Sequence, residues 1–243
     1  MGERGPSGQR GIVTKAAYSR ESRMDTPGRR VFASITTVDP IDLRDSVVAL
    51  LSAGVDGIHV DIADGHFVPF LTFGPSLVES LRRITSCFLE VHLLVDDPEL
   101  YLPALVDCRV DRIAFHVEAT RYPWRVMSAL RQTRAEVGIA INAVTPLANL
   151  EMVGRDADFV LALATDHTLN GDEALPGAVD RLRRLRAILP PAVRVEVDGG
   201  VATQNVAGFV AAGADDVVIG RALVETSGWR ATVGVFRSLM QGV

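Results

Sequence analysis

From Arg30 onward, short runs of apolar residues alternate with stretches whose apolar positions recur every three or four residues. The first pattern suits buried strands and the second amphipathic helices. Strands are predicted over 31–35, 57–61, 88–93, 112–116, 138–142, 159–163, 194–197 and 216–219. Helical patterns fill the intervals, among them 42–53, 76–83, 124–134, 178–188 and 204–212. Strands that are apolar nearly throughout belong in a parallel sheet covered by helices. Eight strand-helix units in about 210 residues are what a (β/α)8 TIM barrel requires. The predicted fold is therefore α/β, a single-domain barrel over 30–243. An open doubly wound sheet is the alternative, but no G-x-G-x-x-G follows the first strand.

Residues 1–29 stand apart, rich in Gly, Ser and Arg and without a sustained hydrophobic period. They lack the apolar centre of a secretory signal and read as a flexible N-terminal arm. Lys15, in this arm, is the only lysine of the chain.

Composition narrows the function classes. The 243 residues are 48% hydrophobic and 23% charged, ordinary for a globular protein with ample core. A net charge of -5 leaves no footprint for nucleic acid. No apolar run approaches the roughly 20 residues of a membrane span, so no membrane partner is expected. Two cysteines, Cys87 and Cys108, form no disulfide framework and suit a reducing cytoplasm.

The densest chemistry lies in Asp56-Gly57-Ile58-His59-Val60-Asp61-Ile62-Ala63-Asp64-Gly65-His66-Phe67-Val68-Pro69. Alternate strand residues face the same way, so His59 and Asp61 project together, as a divalent metal could use. Bonding to neighbouring backbone is the plainer reading of so short a pattern. All five histidines, His59, His66, His92, His116 and His167, fall at predicted strand ends or in the loops that follow, the working face of a barrel. His92 shares a strand face with Glu90; a hydrogen-bonded core histidine is the alternative there. Asp198 ends the seventh strand before Gly199 and Gly200, which make a turn or leave backbone N–H groups free to approach an anion. His59, Asp61, His92 and Asp198 together form a two-histidine, two-carboxylate set on the barrel walls. Gly220 and Arg221 follow the eighth strand, where such barrels commonly build a phosphate site.

Five segments carry a family resemblance: Ile58-His59-Val60-Asp61-Ile62-Ala63-Asp64-Gly65-His66-Phe67-Val68-Pro69, Glu90-Val91-His92-Leu93, His116-Val117-Glu118, Asn142-x-x-Thr145-Pro146 and Val195-Glu196-Val197-Asp198-Gly199-Gly200. In order and content they resemble the ribulose-phosphate 3-epimerase family from about Val31 to Val224. The resemblance implies a TIM barrel with one divalent metal ion, usually zinc, iron or manganese, and a homo-oligomer. It carries the metal ligands onto His59, Asp61, His92 and Asp198, with Asp61 and Asp198 also the catalytic acid and base. Ser34 matches a substrate-contacting serine; His92, Gly199, Gly200, Gly220 and Arg221 complete the expected substrate contacts. The implied reaction inverts C3 of a ketose phosphate, ribulose 5-phosphate or a longer, less common one, through an enediolate. Two carboxylates on opposite sides of a flat intermediate can exchange the roles of base and acid.

Departures from the family bear on the substrate. Where the family carries a lid resembling N-P-G-F-G-G-Q, this chain reads Thr165-Asp166-His167-Thr168-Leu169-Asn170-Gly171-Asp172-Glu173. Its acidic side chains repel a dianion. Family methionines are replaced by Ala63, Leu94 and Leu163, and Phe70 stands in place of an asparagine. With Ala63 opening space, the pocket is expected to suit a ketose other than ribulose 5-phosphate. Schiff-base aldolases need a barrel lysine, and the related sugar-phosphate decarboxylases use one in their acidic motif; Lys15 lies outside the barrel. A metal-dependent aldolase and a non-catalytic sugar-phosphate-binding scaffold are the competing readings.

Overall fold

The computed structural model describes residues 28–168, 173–224 and 228–242. The expected arm, except Gly28 and Arg29, lies outside the described residues, as do Lys15 and, in the loop after the sixth strand, residues 169–172.

Eight parallel strands close into a barrel in chain order. They are β1 (Arg30–Ser34), β2 (Gly57–Ala63), β3 (Phe88–Leu94), β4 (Arg112–His116), β5 (Glu136–Ile141), β6 (Phe159–Leu163), β7 (Arg194–Asp198) and β8 (Asp216–Ile219). The intervening helices are α1 (Leu43–Ala53), α2 (Pro75–Ile84), α3 (Leu102–Asp107), α4 (Pro123–Leu130), α5 (Ala178–Ile188) and α6 (Val206–Ala211). The short α7 (Arg221–Val224) and the long α8 (Trp229–Gln241) complete the ring. Among the described residues, no helix is long and apolar enough to cross a membrane.

Strand alternation sorts the side chains into two environments. Outward residues such as Ile58, Val60, Ile62, Val91, Ile139 and Val197 join the helices in one large apolar cluster. The inward set is different. Phe159, Leu161 and Leu163 plug one side with Ala114 and Ala140, while Arg30, Arg112, Glu90, Glu196 and Asp216 are buried charges. Gly138 is what admits the plug: a Cβ there would stand 2.2 Å from Phe159 Cζ.

Two of the departures from the predicted elements bear on the barrel interior. The helix predicted over 124–134 ends at Leu130, because residues 131–133 bond back in tight turns and the Thr133 hydroxyl accepts from Ala135 N–H. β5 consequently starts at Glu136, which lies in register with Arg112 and accepts from its Nε at 3.1 Å. β2 extends to Ala63, so His59 sits inside the strand rather than at its end.

Candidate active site

β2 contributes His59 and Asp61, β3 contributes His92 and β7 ends on Asp198. Parallel register sets Asp61 level with His92, and all four inward side chains meet at the C-terminal mouth. One donor atom from each lies within 4.8 Å of the others, and all four residues are buried. Asp61 Oδ1 stands 3.1 Å from His59 Nε2 and 3.0 Å from His92 Nδ1. Asp198 Oδ2 stands 3.9 Å from the first nitrogen and 4.0 Å from the second. Ligand bonds near 2.1 Å in tetrahedral array put donors about 3.4 Å apart, so these spacings straddle what a divalent cation requires. The donor set, two imidazole nitrogens and two carboxylate oxygens, suits zinc, iron or manganese alike.

The electrostatics of the cluster point the same way. Burial disfavours charge on the His59 ring, yet Asp61 and Glu90 outweigh it and hold its pKa well above the ordinary imidazole value. Burial likewise opposes ionisation of Asp61, but His59 and His92 hold its carboxyl well below the usual range. A site that holds protons on nitrogen between carboxylates is one where a cation can displace them. His59 Nδ1 lies 2.6 Å from Glu90 Oε1, so its far nitrogen is anchored as ligating imidazoles generally are.

Two hydroxyls on one Asp61 oxygen escaped the sequence reading in part. Ser34 Oγ donates to Asp61 Oδ2 at 3.1 Å and Thr36 Oγ1 donates to the same atom at 2.6 Å. Thr36, two residues after Ser34 in a turn rather than a strand, offered no periodic signal. His116 is another: its Nε2 lies 2.9 Å from His92 Nε2, and burial pushes its pKa down to about 4 despite the pull of Glu118. The pairing of strand-end histidines on adjacent strands was the signal available for it.

A cavity of about 660 Å³ opens onto the cluster, lined by Ser34, Asp61 and Asp198. Gly199, Gly200, Gly220 and Arg221 line it as well, as do Thr203, Gln204 and Thr232. Gly199 and Gly200 have φ of +90° and +65°. Close approach also demands glycine: a Cβ on Gly200 would stand 2.2 Å from Ala174 N. His92, expected to touch substrate, does not line the cavity; it is fully buried with Asp61 and His116 on its two nitrogens.

The substituted positions behave differently from expectation. Ala63 is 4% exposed and clusters with Val68 and Leu94, and the loop residues Phe67 and Phe70 pack against that cluster. Phe70 and Leu94, not Ala63 or Leu163, face the cavity. In the altered loop after β6, His167 lines the cavity with Nε2 3.7 Å from Asp198 Oδ2. Asp198 holds the His167 pKa above the ordinary imidazole value against burial, and Glu173 is exposed.

A closed (β/α)8 barrel that gathers titratable side chains at its C-terminal mouth defines the class of this protein, a barrel enzyme. Residues 30–224 match the profile of the Ribulose-phosphate 3 epimerase family, and the chain belongs to that family. This places it among the isomerases. It is 33% identical over 201 residues to ribulose-phosphate 3-epimerase 1 of Cupriavidus necator, covering 80% of this chain and 83% of that one. Identity to the ribulose-phosphate 3-epimerase of Escherichia coli is 31% over 209 residues, covering 84% and 93%. Among solved structures, the 3-keto-L-gulonate-6-phosphate decarboxylase of Vibrio cholerae superposes with a TM-score of 0.69 at 15% identity, covering 88% of this chain and 98% of that one. The orotidine 5'-phosphate decarboxylase of Pyrococcus horikoshii gives 0.65 at 15% identity, covering 88% and 100%. At such identities the likeness speaks for the fold alone.

Proposed function

We propose that this protein is a divalent-metal-dependent 3-epimerase of a ketose phosphate, with Asp61 and Asp198 as the acid and base pair. The observation that carries the reading is the convergence of His59, Asp61, His92 and Asp198 donors within 4.8 Å at the cavity floor. His59, Asp61, His92 and Asp198 would hold the cation, which supplies fixed positive charge beside the enediolate that forms when the C3 proton leaves. Asp61 and Asp198 come from β2 and β7, different sectors of the barrel wall, and so address a flat intermediate from different sides. One removes the proton and the other returns one, with the direction set by the epimer bound. The Ser34 and Thr36 hydroxyls orient Asp61 through its Oδ2.

The Gly199, Gly200, Gly220 and Arg221 wall is the proposed phosphate end; backbone N–H groups at positive φ and a guanidinium are suited to a dianion. The exposed Glu173 and the His167 side chain stand in the loop where the family carries its backbone-rich lid, and Phe70 and Leu94 line the cavity. These departures are the basis for proposing a ketose phosphate other than ribulose 5-phosphate, longer or less common.

Zinc- or manganese-loaded protein in deuterated solvent should exchange deuterium into C3 of its ketose phosphate and produce the C3 epimer, followed by NMR across pentulose, hexulose and heptulose phosphates. Asp198→Asn should lower turnover by about 10²–10⁴-fold while sugar phosphate still binds. Carbon-carbon cleavage, or no exchange with any member of the panel, would sink the epimerase reading; a strong preference for ribulose 5-phosphate would sink only the longer substrate.

A further inference from the structure

The segments His116-Val117-Glu118 and Asn142-x-x-Thr145 have so far no part in the chemistry, yet they lie directly behind the cluster. His92 turns Nδ1 toward Asp61 Oδ1 at 3.0 Å and Nε2 toward His116 Nε2 at 2.9 Å. A nitrogen-nitrogen contact of that length is a hydrogen bond and holds a single hydrogen. On its other edge, His116 Nδ1 lies 3.1 Å from Glu118 Oε2. Glu118 is itself pinned: its Oε1 accepts from the Asn142 backbone N–H at 2.8 Å and from the Thr145 hydroxyl. Arg181 of α5 donates in turn to the carbonyl oxygens of Asn142 and Thr145, which fixes the loop that holds Glu118.

With both rings neutral, two hydrogens serve three contacts, so one contact is left without a hydrogen. An ionised carboxylate only accepts, so His116 Nδ1 carries a hydrogen and donates to Glu118. His116 Nε2 is then bare and accepts, which places the shared hydrogen on His92 Nε2. His92 Nδ1 is left with a lone pair facing an Asp61 oxygen, two acceptors 3.0 Å apart. A cation shared between them relieves that opposition. The reverse order would set a bare His116 nitrogen against the Glu118 carboxylate and turn a hydrogen on His92 into the cluster.

We infer that Glu118 and His116 form a carboxylate-imidazole relay that fixes the tautomer of His92 and holds its Nδ1 ready for a divalent cation. Both are positioning residues, since the His116 nitrogens are spent on His92 and Glu118. His59 meets Glu90 directly, whereas His92 reaches the Glu118 carboxylate through His116. The inference rests on the metal-dependent reading of the cluster.

Cobalt uptake by the full-length protein, by chelator competition and visible spectrum, tests it alongside the His116→Phe and Glu118→Gln variants. His116→Phe keeps a ring beside Phe67, whose centroid is 4.6 Å from that of His116, but removes both nitrogens. Loss of such outer partners typically lowers metal affinity by about 10–100-fold, and the expected result is a drop of that order with an altered cobalt spectrum in both variants. Ring-nitrogen correlations by NMR on zinc-loaded wild type provide a readout independent of any variant: hydrogen on His116 Nδ1 and on His92 Nε2. The opposite tautomers, or variants that match wild type in affinity and spectrum, overturn the relay and leave the proposed function standing. Wild-type protein that takes up neither ion overturns both.

Discussion

His116 links the chemistry of a single ring to the stability of the whole fold. Burial first, and His92 secondarily, push its pKa down to about 4 against the pull of Glu118. In the unfolded chain the ring titrates near 6.5. Between these values the unfolded state binds a proton that the native state refuses, so stability rises with pH through the window and is lost as pH falls from about 6.5 toward 4. In chelator-treated protein, this group should account for a loss on the order of 3 kcal/mol across that range. Urea titrations at several pH values should give a flatter profile for His116→Phe than for wild type; parallel profiles would exclude the assignment. His59 runs the other way, since its raised pKa favours the acid side, which is why the difference between the two proteins is the quantity to read.

The inner ends of the strands hold an ionic layer that no single strand announces. Arg112 of β4 donates to Glu90 at 2.9 Å, Asp216 at 3.0 Å and Glu136 at 3.1 Å, and also to Glu196. Its guanidinium carbon lies 3.7 Å from the Phe159 ring centroid. Arg30 and Arg194 bind Asp216 from either side. Burial and the neighbouring Glu90 carboxylate push the Glu196 pKa well up, whereas Arg112 helps hold Glu90 down at about 2 and Asp216 well below its usual range. The guanidiniums of Arg30, Arg112 and Arg194 thus face the carboxylates of Glu90, Glu136, Glu196 and Asp216. Removing one partner of a buried ion pair leaves uncompensated charge and typically costs about 3–5 kcal/mol. Arg112→Met is expected to destabilise by that amount in equilibrium denaturation. Because Glu90 also anchors His59, the same variant should bind zinc more weakly; undiminished stability would mean that the layer relaxes or takes in water.

For the whole molecule, metal binding and folding are linked. The four donors meet only when β2, β3 and β7 are closed into one wall, so a cation that binds them binds the native state alone. At free zinc a hundredfold above its dissociation constant the linkage is worth about 2.7 kcal/mol, or roughly 5–10 °C in melting temperature for a chain of this size. Chelator should reverse the shift. A melting temperature indifferent to both additions would count against the cation site.

The order of strands and the inward face of each were legible in the chain, because alternation and helical periodicity are local properties of the backbone. That is why His59 with Asp61 in β2, and Glu90 with His92 in β3, were readable as pairs before any fold was assembled. The D-G-H-F-V-P run carried the family for the same reason: it is contiguous. Barrel closure alone decided what each pair would meet. It set Asp61 beside His92, put His116 behind His92, and stacked Arg112 on Phe159 from a strand two places away. It also packed Phe67 and Phe70 against the cluster that holds Ala63. Register and ring closure are relations between strands far apart in sequence, and the charge of a buried group depends on every neighbour they deliver.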